Sequence, residues 1–194
     1  MATIGFIGTG VMGTGIINNL LDANYSVNVY NRTKSKADSL VARGATWYDT
    51  PKEITENSDI IMSMVGFPQD VENIYFGDEG IFAGADENKI LVDMTTSTPS
   101  LAKKIGETAE QKKIKVIDAP VSGGDLGAKN GTLTIMVGGN KEAFDTLLPI
   151  FEVIGSNSNY FGGYGAGQNT KMANQIMIAG TMTGMSEMLV YAKK

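Results

Sequence analysis

Residues 3–13, Thr3-Ile4-Gly5-Phe6-Ile7-Gly8-Thr9-Gly10-Val11-Met12-Gly13, decide the fold of this chain. A short apolar run ends in three closely spaced glycines, and a segment with helical spacing of apolar residues follows from Met12 to Asp22. In such a strand–turn–helix unit, the first glycine allows a sharp turn and the second lets the backbone come close to a phosphate. The third lets the helix pack tightly against the strand. Because a helix N-terminus favours anionic groups, the stretch predicts a dinucleotide-binding turn whose contacts run from Gly8 to Gly13.

Strand and helix patterns alternate along the rest of the chain. We predict strands at 26–30, 46–48, 60–65, 90–93, 115–118 and 133–137. Helices are predicted at 35–43, from 51, and at 68–76, 100–112 and 141–151. This alternation is typical of an α/β fold of Rossmann type, with a doubly wound, mainly parallel sheet and helices on both of its faces.

A change of composition marks the last part of the chain. Residues 162–167 include four glycines and are predicted to form a hinge, and one long helical pattern then runs from Gln168 to residue 194. Its apolar residues include Met172, Ile176 and Met182, which are expected to need a partner surface. We therefore predict a nucleotide-binding domain over 1–163 and a separate helical segment over 164–194.

Composition excludes several kinds of chemistry. The chain has 194 residues, a net charge of −5, no cysteine and no histidine, so disulfides, thiolate nucleophiles, histidine triads and histidine metal sites are excluded. The scattered negative charge argues against a nucleic-acid surface, and no apolar run is long enough for a membrane span. These features favour a soluble cytoplasmic protein that binds no metal, no nucleic acid and no membrane.

Four separated blocks give the chain a resemblance to the β-hydroxyacid dehydrogenase family, which includes 3-hydroxyisobutyrate dehydrogenase and tartronate semialdehyde reductase. The blocks are residues 5–13, Asp93-Met94-Thr95-Thr96-Ser97, Asp118-Ala119-Pro120-Val121-Ser122-Gly123-Gly124, and Gly165-Ala166-Gly167-Gln168-Asn169-Thr170-Lys171-Met172-Ala173-Asn174-Gln175. The resemblance implies hydride transfer between NADP(H) or NAD(H) and a small 3-hydroxy acid or its semialdehyde. It also implies a homo-oligomer, and a chain that represents the cofactor domain with the start of a long helix leading into an all-α second domain.

The end of the second strand predicts which cofactor binds. An NAD site usually has an acidic residue there to bond the ribose 2′-hydroxyl, whereas this chain has Asn31, followed by Arg32 and Thr33. Arg32 can hold a 2′-phosphate with two parallel hydrogen bonds, and Thr33 adds a hydroxyl donor. We therefore favour NADP over NAD.

The resemblance adds further cofactor contacts at Val65, Gly66 and Thr96. Relatives often have Leu-Pro in place of Val65-Gly66. They often have Asn where this chain has Asp70, so a contact by Asp70 is not implied.

The glycine-rich stretch after Asp118 is the predicted substrate site. Ser122, Gly123 and Gly124 offer a hydroxyl and two backbone N–H groups at a strand end, an arrangement that suits an anion. By resemblance that anion is the substrate carboxylate. Gly127 and Gly131 are expected to keep the loop mobile or sharply bent, and the alternative is a glycine-rich hairpin without a ligand.

Lys171 is the predicted catalytic residue. Asn174 and Gln175 follow at i+3 and i+4, so the three side chains are expected to share one helix face. In a chain without histidine, a lysine whose pKa is lowered by burial and by the helix N-terminus is a natural general acid and base. The resemblance assigns this role to Lys171 and substrate binding to Asn174 and Gln175, although many relatives have Asn at the latter position.

Three other functions compete with this interpretation. One is a decarboxylating enzyme like 6-phosphogluconate dehydrogenase, whose lysine motif includes a histidine that this chain lacks. Another is a non-catalytic scaffold that binds NADP, and the third is an imine reductase. The presence of Lys171 weighs against both of these, because scaffolds would lose this lysine and imine reductases usually replace it.

Overall fold

Six parallel strands form the main sheet in the computed structural model, which describes residues 2–193. They are β1 (Ile4–Ile7), β2 (Val27–Tyr30), β3 (Thr46–Trp47), β4 (Ile60–Ser63), β5 (Ile90–Asp93) and β6 (Lys115–Asp118), in the order β3-β2-β1-β4-β5-β6. The chain is therefore wound outward in both directions from β1, and the predicted Rossmann-type fold is confirmed.

Helices cover both faces of this sheet. They are α1 (Val11–Asp22), α2 (Asp38–Ala42), α3 (Pro51–Glu56), α4 (Pro68–Phe76), α5 (Ile81–Gly84) and α6 (Pro99–Gln111). Successive strand residues enter separate cores, because side chains alternate across a strand: Phe6 belongs to the cluster around α1, and Ile7 to the cluster that contains Ile61 and Tyr75. The predicted helix at 35–43 is interrupted, since Lys34–Ala37 is a 3₁₀ turn.

An antiparallel extension continues the sheet beyond β6. Its elements are β7 (Val121–Ser122), α7 (Gly124–Asn130), β8 (Leu133–Gly139), α8 (Lys141–Ile154) and β9 (Gly155–Tyr160). Strand β8 runs antiparallel to β6 and β7 and parallel to β9. The polar sequence of β9 predicted no strand, because this strand is defined by its pairing with β8 and not by hydrophobic alternation.

The prediction of a mobile or sharply bent loop around Gly127 and Gly131 is wrong in one respect. Gly127 is buried inside α7, and Gly131 ends that helix in the left-handed conformation with φ 65°. These glycines therefore belong to a short helix and its C-terminal cap. Glycine is needed at Gly131 because the left-handed conformation disfavours a Cβ.

The last element is the 27-residue helix α9 (Ala166–Ala192). Only its first turns are buried, at Gly167, Gln168 and Lys171. Beyond Ala173 it presents large apolar side chains to solvent: Ile176, Met177, Met182, Met185, Met188, Leu189, Val190 and Tyr191. No helix among residues 2–193 has the length and apolar character to cross a membrane.

Candidate active site

A cleft of about 620 Å³ opens where the winding of the sheet reverses, at the carboxyl ends of β1, β2 and β4. This is the position at which open α/β sheets bind ligands. Ten of the predicted cofactor residues line it: Gly8, Gly10, Val11, Met12, Gly13, Asn31, Arg32, Thr33, Val65 and Gly66.

The glycines of the first turn suit a dinucleotide for separate reasons. A Cβ on Gly8, whose φ is 107°, would lie 2.1 Å from the Met64 carbonyl oxygen, and one on Gly13 would lie 2.0 Å from the Gly8 carbonyl oxygen. A Cβ on Gly10 would meet no atom within 4 Å. Gly8 thus lets the turn pass close to the end of β4, and Gly13 lets α1 pack against the end of β1. Gly10 leaves room for a phosphate above the helix N-terminus.

The start of α1 also fits an anion electrostatically. Gly10 caps the helix without a side-chain hydrogen bond, and the first turn carries no acidic residue. The unpaired N–H groups and positive end of the helix dipole therefore face a site with no competing carboxylate of their own.

Asn31 organises the loop at the end of β2. Its Oδ1 accepts a hydrogen bond from the Thr9 N–H at 3.1 Å, and its Nδ2 donates to the Thr33 carbonyl at 2.9 Å. Thr9 is buried and is not among the residues that line the cleft, so the structure places it behind Asn31. The predicted direct contact between Thr9 and the cofactor therefore has no support from the lining of the cleft.

Arg32 forms an ion pair across the mouth of the cleft. Its Nη1 lies 3.3 Å from Asp70 Oδ1, and the Arg32 side chain is 87% exposed. Asp70 Oδ2 accepts a hydrogen bond from the Phe67 N–H at 3.1 Å, which fixes the carboxylate at the start of α4. Both residues line the cleft, although the resemblance left the contribution of Asp70 open.

Several residues of the cleft wall were missed by sequence reasoning. They are Ile7, Tyr30, Lys36, Pro51, Met64, Asn73, Ile74, Gly77, Glu79 and Gly80. The i+3 and i+4 spacing from Asp70 could have indicated Asn73 and Ile74, and the basic run after Arg32 could have indicated Lys36. The wall at Pro51 and at 77–80 depends on how separate loops meet, for which the sequence holds no local signal.

Thr96 is exposed and is not among the residues that line the cleft. Its neighbour Thr95 is buried, and the Thr95 Oγ1 accepts a hydrogen bond from the Val65 N–H at 3.1 Å. Thr95 therefore holds the loop that follows β4, and through it part of the cleft wall.

Asp93 lies buried behind this loop. Its Oδ1 accepts hydrogen bonds from the Ser63 hydroxyl at 3.0 Å and from the Thr95 N–H at 3.1 Å. Burial raises the pKa of Asp93 to about 6; these hydrogen bonds oppose the shift and repulsion from Asp118 adds to it.

The predicted carboxylate site lies between β7 and α7. Ser122 is half-buried, while Gly123 and Gly124 are exposed and have φ values of 131° and 63°. Helix α7 packs directly on α1: the Asn19 Nδ2 donates to the Ala128 carbonyl at 2.8 Å. The substrate stretch and the cofactor helix are thus in direct contact.

Two buried side chains fasten the start of α9. The Asp118 carboxylate accepts hydrogen bonds from the Gly165 and Gln168 N–H groups, each at 2.8 Å. Gln168 is fully buried; its Nε2 donates to the Thr95 carbonyl at 2.7 Å, and its Oε1 accepts from the Ser97 N–H at 2.9 Å. Burial raises the pKa of Asp118, and the backbone N–H groups oppose that shift.

Lys171 follows Gln168 by one helical turn. The residue is 7% exposed, and burial lowers the pKa of its ammonium group. Its amine makes no hydrogen bond or ion pair with any residue between 2 and 193. Asn174 is half-buried, and its Nδ2 is buried without a partner in the same part of the chain, whereas Gln175 is exposed. The structure therefore brings Lys171 and Asn174 together on the inner face of α9 and turns Gln175 toward solvent.

The described residues contain no group of three or more acidic side chains that could hold a metal ion. Asp93 and Asp118 face each other in register on neighbouring strands, but each is engaged by hydrogen bonds of the protein itself.

The chain is similar in sequence to known dinucleotide-binding proteins. Residues 3–163 match the family model described as the NAD binding domain of 6-phosphogluconate dehydrogenase. The chain is 55% identical over 99% of its length to an uncharacterized oxidoreductase, YkwC, of Bacillus subtilis. It is 48% identical over 98% of its length to a probable mitochondrial 3-hydroxyisobutyrate dehydrogenase-like protein of Arabidopsis thaliana.

Among solved structures, the fold matches a Mycobacterium tuberculosis 3-hydroxyisobutyrate dehydrogenase with L-serine. The TM-score is 0.91 at 28% identity, and the match covers 100% of this chain and 66% of that one. The chain spans 67% of the Bacillus relative and 57% of the Arabidopsis relative.

Proposed function

This chain belongs to the β-hydroxyacid dehydrogenase family, and from that membership we propose that it forms the cofactor-binding part of an NADP-preferring dehydrogenase or reductase. The proposed substrate is a small 3-hydroxy acid or its semialdehyde. The cofactor domain covers residues 1–163, and residues 164–194 begin the helix that leads to an all-α domain. The non-acidic Asn31 beside Arg32 supports NADP as the preferred cofactor.

The main support for this proposal is the burial of the Lys171 side chain. A lysine that is 7% exposed and has no counter-ion among the described residues is costly to keep charged, and burial lowers its pKa accordingly. The buried, unpartnered amide of Asn174 lies one turn further along the same helix face. A buried, unsatisfied amide of this kind is explained if a substrate supplies its partner.

The cleft lined by Gly8, Gly10 and Arg32 would hold the nicotinamide dinucleotide, which would supply or accept the hydride. Lys171 donates a proton to the carbonyl oxygen during reduction and accepts it from the hydroxyl during oxidation. The Ser122 hydroxyl and the N–H groups of Gly123 and Gly124 bind the substrate carboxylate, and Asn174 orients the reacting oxygen. The exposure of Gln175 gives its proposed contact less support.

A reductase assay of the full-length protein, with small semialdehydes and either NADPH or NADH, tests this proposal. Lys171→Ala should keep NADPH affinity and lose about 10²–10⁴-fold in kcat, the usual contribution of general acid–base catalysis. Lys171→Arg should fail equally, since arginine does not release its proton at working pH.

Lys112→Ala is the matched control, because Lys112 is an exposed lysine next to the end of α6. It should leave kcat unchanged. A Lys171→Arg enzyme with normal kcat would show that Lys171 acts only as a positive charge, and an inactive wild type that still binds NADPH would favour the scaffold alternative.

A decarboxylating activity like that of 6-phosphogluconate dehydrogenase is the second candidate. The matched family model favours it, because that model is described by this enzyme's NAD-binding domain. The absence of histidine from the chain weighs against it. Carbon dioxide release from 6-phosphogluconate in the same assay would identify this activity.

Assembly into a homo-oligomer is also proposed. The exposed apolar side chains of α9 support it, because many large apolar side chains exposed on one element often mark an interaction site. The expected cytoplasmic location stays a prediction.

A further inference from the structure

We propose that Asp70 determines cofactor specificity by acting as the counter-ion of Arg32. In this role Asp70 restrains the preference for a 2′-phosphorylated dinucleotide and accepts the ribose 2′-hydroxyl of the unphosphorylated one. The inference rests on the proposed function, in that the cleft must bind a nicotinamide dinucleotide.

Arg32 and Asp70 form an ion pair in which only Asp70 is held in place by the protein. Arg32 Nη1 lies 3.3 Å from Asp70 Oδ1, and Arg32 makes no other hydrogen bond to a described residue. Arg32 is 87% exposed and therefore free to move, whereas Asp70 is 26% exposed and is held by the Phe67 N–H at 3.1 Å. The carboxylate thus sets the position of the guanidinium at the mouth of the cleft.

A 2′-phosphate would compete with Asp70 for the Arg32 guanidinium. A phosphate that binds Arg32 with charge-assisted hydrogen bonds must approach its nitrogen atoms to about 2.7–2.9 Å. Because Asp70 already lies beside one of those nitrogens, Nη1, the phosphate must either displace the carboxylate or bind close to a like charge. Lys36 also lines the cleft and adds a second positive charge to it. Asp70 therefore weakens NADPH binding selectively.

Asp70 also offers a carboxylate acceptor for the ribose 2′-hydroxyl of NADH. In an NAD site, an acidic residue at the end of the second strand normally accepts the ribose 2′-hydroxyl. Here that position is Asn31, whose amide is already bonded to Thr9 and Thr33. Asp70 brings a carboxylate to the same pocket from the opposite wall, at the start of α4. The site thus contains both the cation that suits a phosphate and the acid that suits a hydroxyl.

The test compares dissociation constants for NADPH and NADH, measured by calorimetry on the 194-residue chain. Asp70→Asn should raise the ratio of NADH to NADPH dissociation constants by about three- to tenfold, because it removes a like charge yet keeps an acceptor for the Phe67 N–H. In an Arg32→Ala background, the same change should produce a smaller gain, because there is no guanidinium to release.

Glu72→Gln is the matched control. Glu72 lies on the same helix, loses the same charge, pairs with Lys104 and does not line the cleft. It should leave the ratio unchanged. An unchanged ratio in Asp70→Asn, or an equal change in Glu72→Gln, would overturn the role of Asp70 while wild-type binding still supports the proposed function. If the wild-type chain binds neither dinucleotide, the proposed function itself fails.

Discussion

Asp93 shows how one buried residue makes the stability of this protein depend on pH. Burial raises its pKa from 3.8 to about 6, so the folded chain binds this proton more tightly than the unfolded chain does. The resulting stabilisation is complete below pH 3.8 and is lost as the pH rises through 6. Asp118, whose pKa is also raised by burial, acts in the same direction.

Asp93→Asn should therefore flatten the pH dependence of unfolding. Between pH 4 and pH 7 the wild-type free energy of unfolding should lose about 2 kcal/mol more than that of the variant. The asparagine keeps an oxygen that can accept from Ser63 and Thr95. Denaturant titrations at the two pH values measure the difference.

Asp78→Asn, at an exposed position, serves as the control for this measurement and should follow the wild-type pH dependence. If Asp93→Asn also follows the wild type, the pKa of Asp93 is the same in the folded and unfolded chains, and burial does not raise it.

At the scale of elements, the contact between α1 and α7 links the cofactor turn to the substrate stretch. A Cβ on Gly15 would lie 2.9 Å from the backbone of Ala128 and Lys129, so the two helices can approach this closely only because the residue is glycine. The predicted carboxylate donors at 122–124 lie at the start of the helix that this contact holds.

Gly15→Ala should push α7 away from α1. The expected loss is about 1–3 kcal/mol in the free energy of unfolding, as for other overpacked sites. Hydrogen exchange should become faster at residues 124–130, while the dissociation constant for NADPH should stay within about twofold, a change of less than 0.5 kcal/mol.

Gly180→Ala is the matched substitution, because Gly180 lies inside α9 and its Cβ would meet no atom within 4 Å. It should be neutral or stabilise the helix by up to about 1 kcal/mol. Equal effects of the two substitutions would mean that the α1–α7 contact does not restrain α7.

Over the whole molecule, buried hydrogen bonds fasten the first turn of α9 to the end of the sheet. Gly165 and Gln168 satisfy the buried Asp118, and Gln168 also bonds the loop after β5. The predicted division after residue 163 stays a prediction, but a cut there would remove all of these donors.

We expect a chain that ends at residue 175 to be as stable as the 194-residue chain, and one that ends at 163 to lose at least about 2 kcal/mol. The 175-residue chain should also self-associate less, because it lacks nearly all the exposed apolar side chains of α9. Denaturant titration and sedimentation velocity measure the two effects. Equal stability at 163 and 175 would show that the first turn of α9 adds nothing to the fold.

Features encoded by residues close together in sequence could be predicted, whereas features that depend on a distant partner could not. The turn at Gly8, Gly10 and Gly13, the parallel strands and the position of Lys171 each depend on residues close together in sequence. The structure differs where a partner defines the element, as in β9, which pairs with β8, and in α7, which packs on α1.

The sequence by itself determined the alternating fold and the dinucleotide turn, because apolar periodicity and backbone sterics are properties of short segments. The catalytic role of Lys171 came from its motif and stays a prediction. Only the tertiary structure decided that Asp70 pairs with Arg32, that Gln168 holds the helix of Lys171 and that Gln175 faces solvent. The first two depend on groups 38 and 73 residues apart in sequence, whose distances are fixed by how separate strands and helices pack.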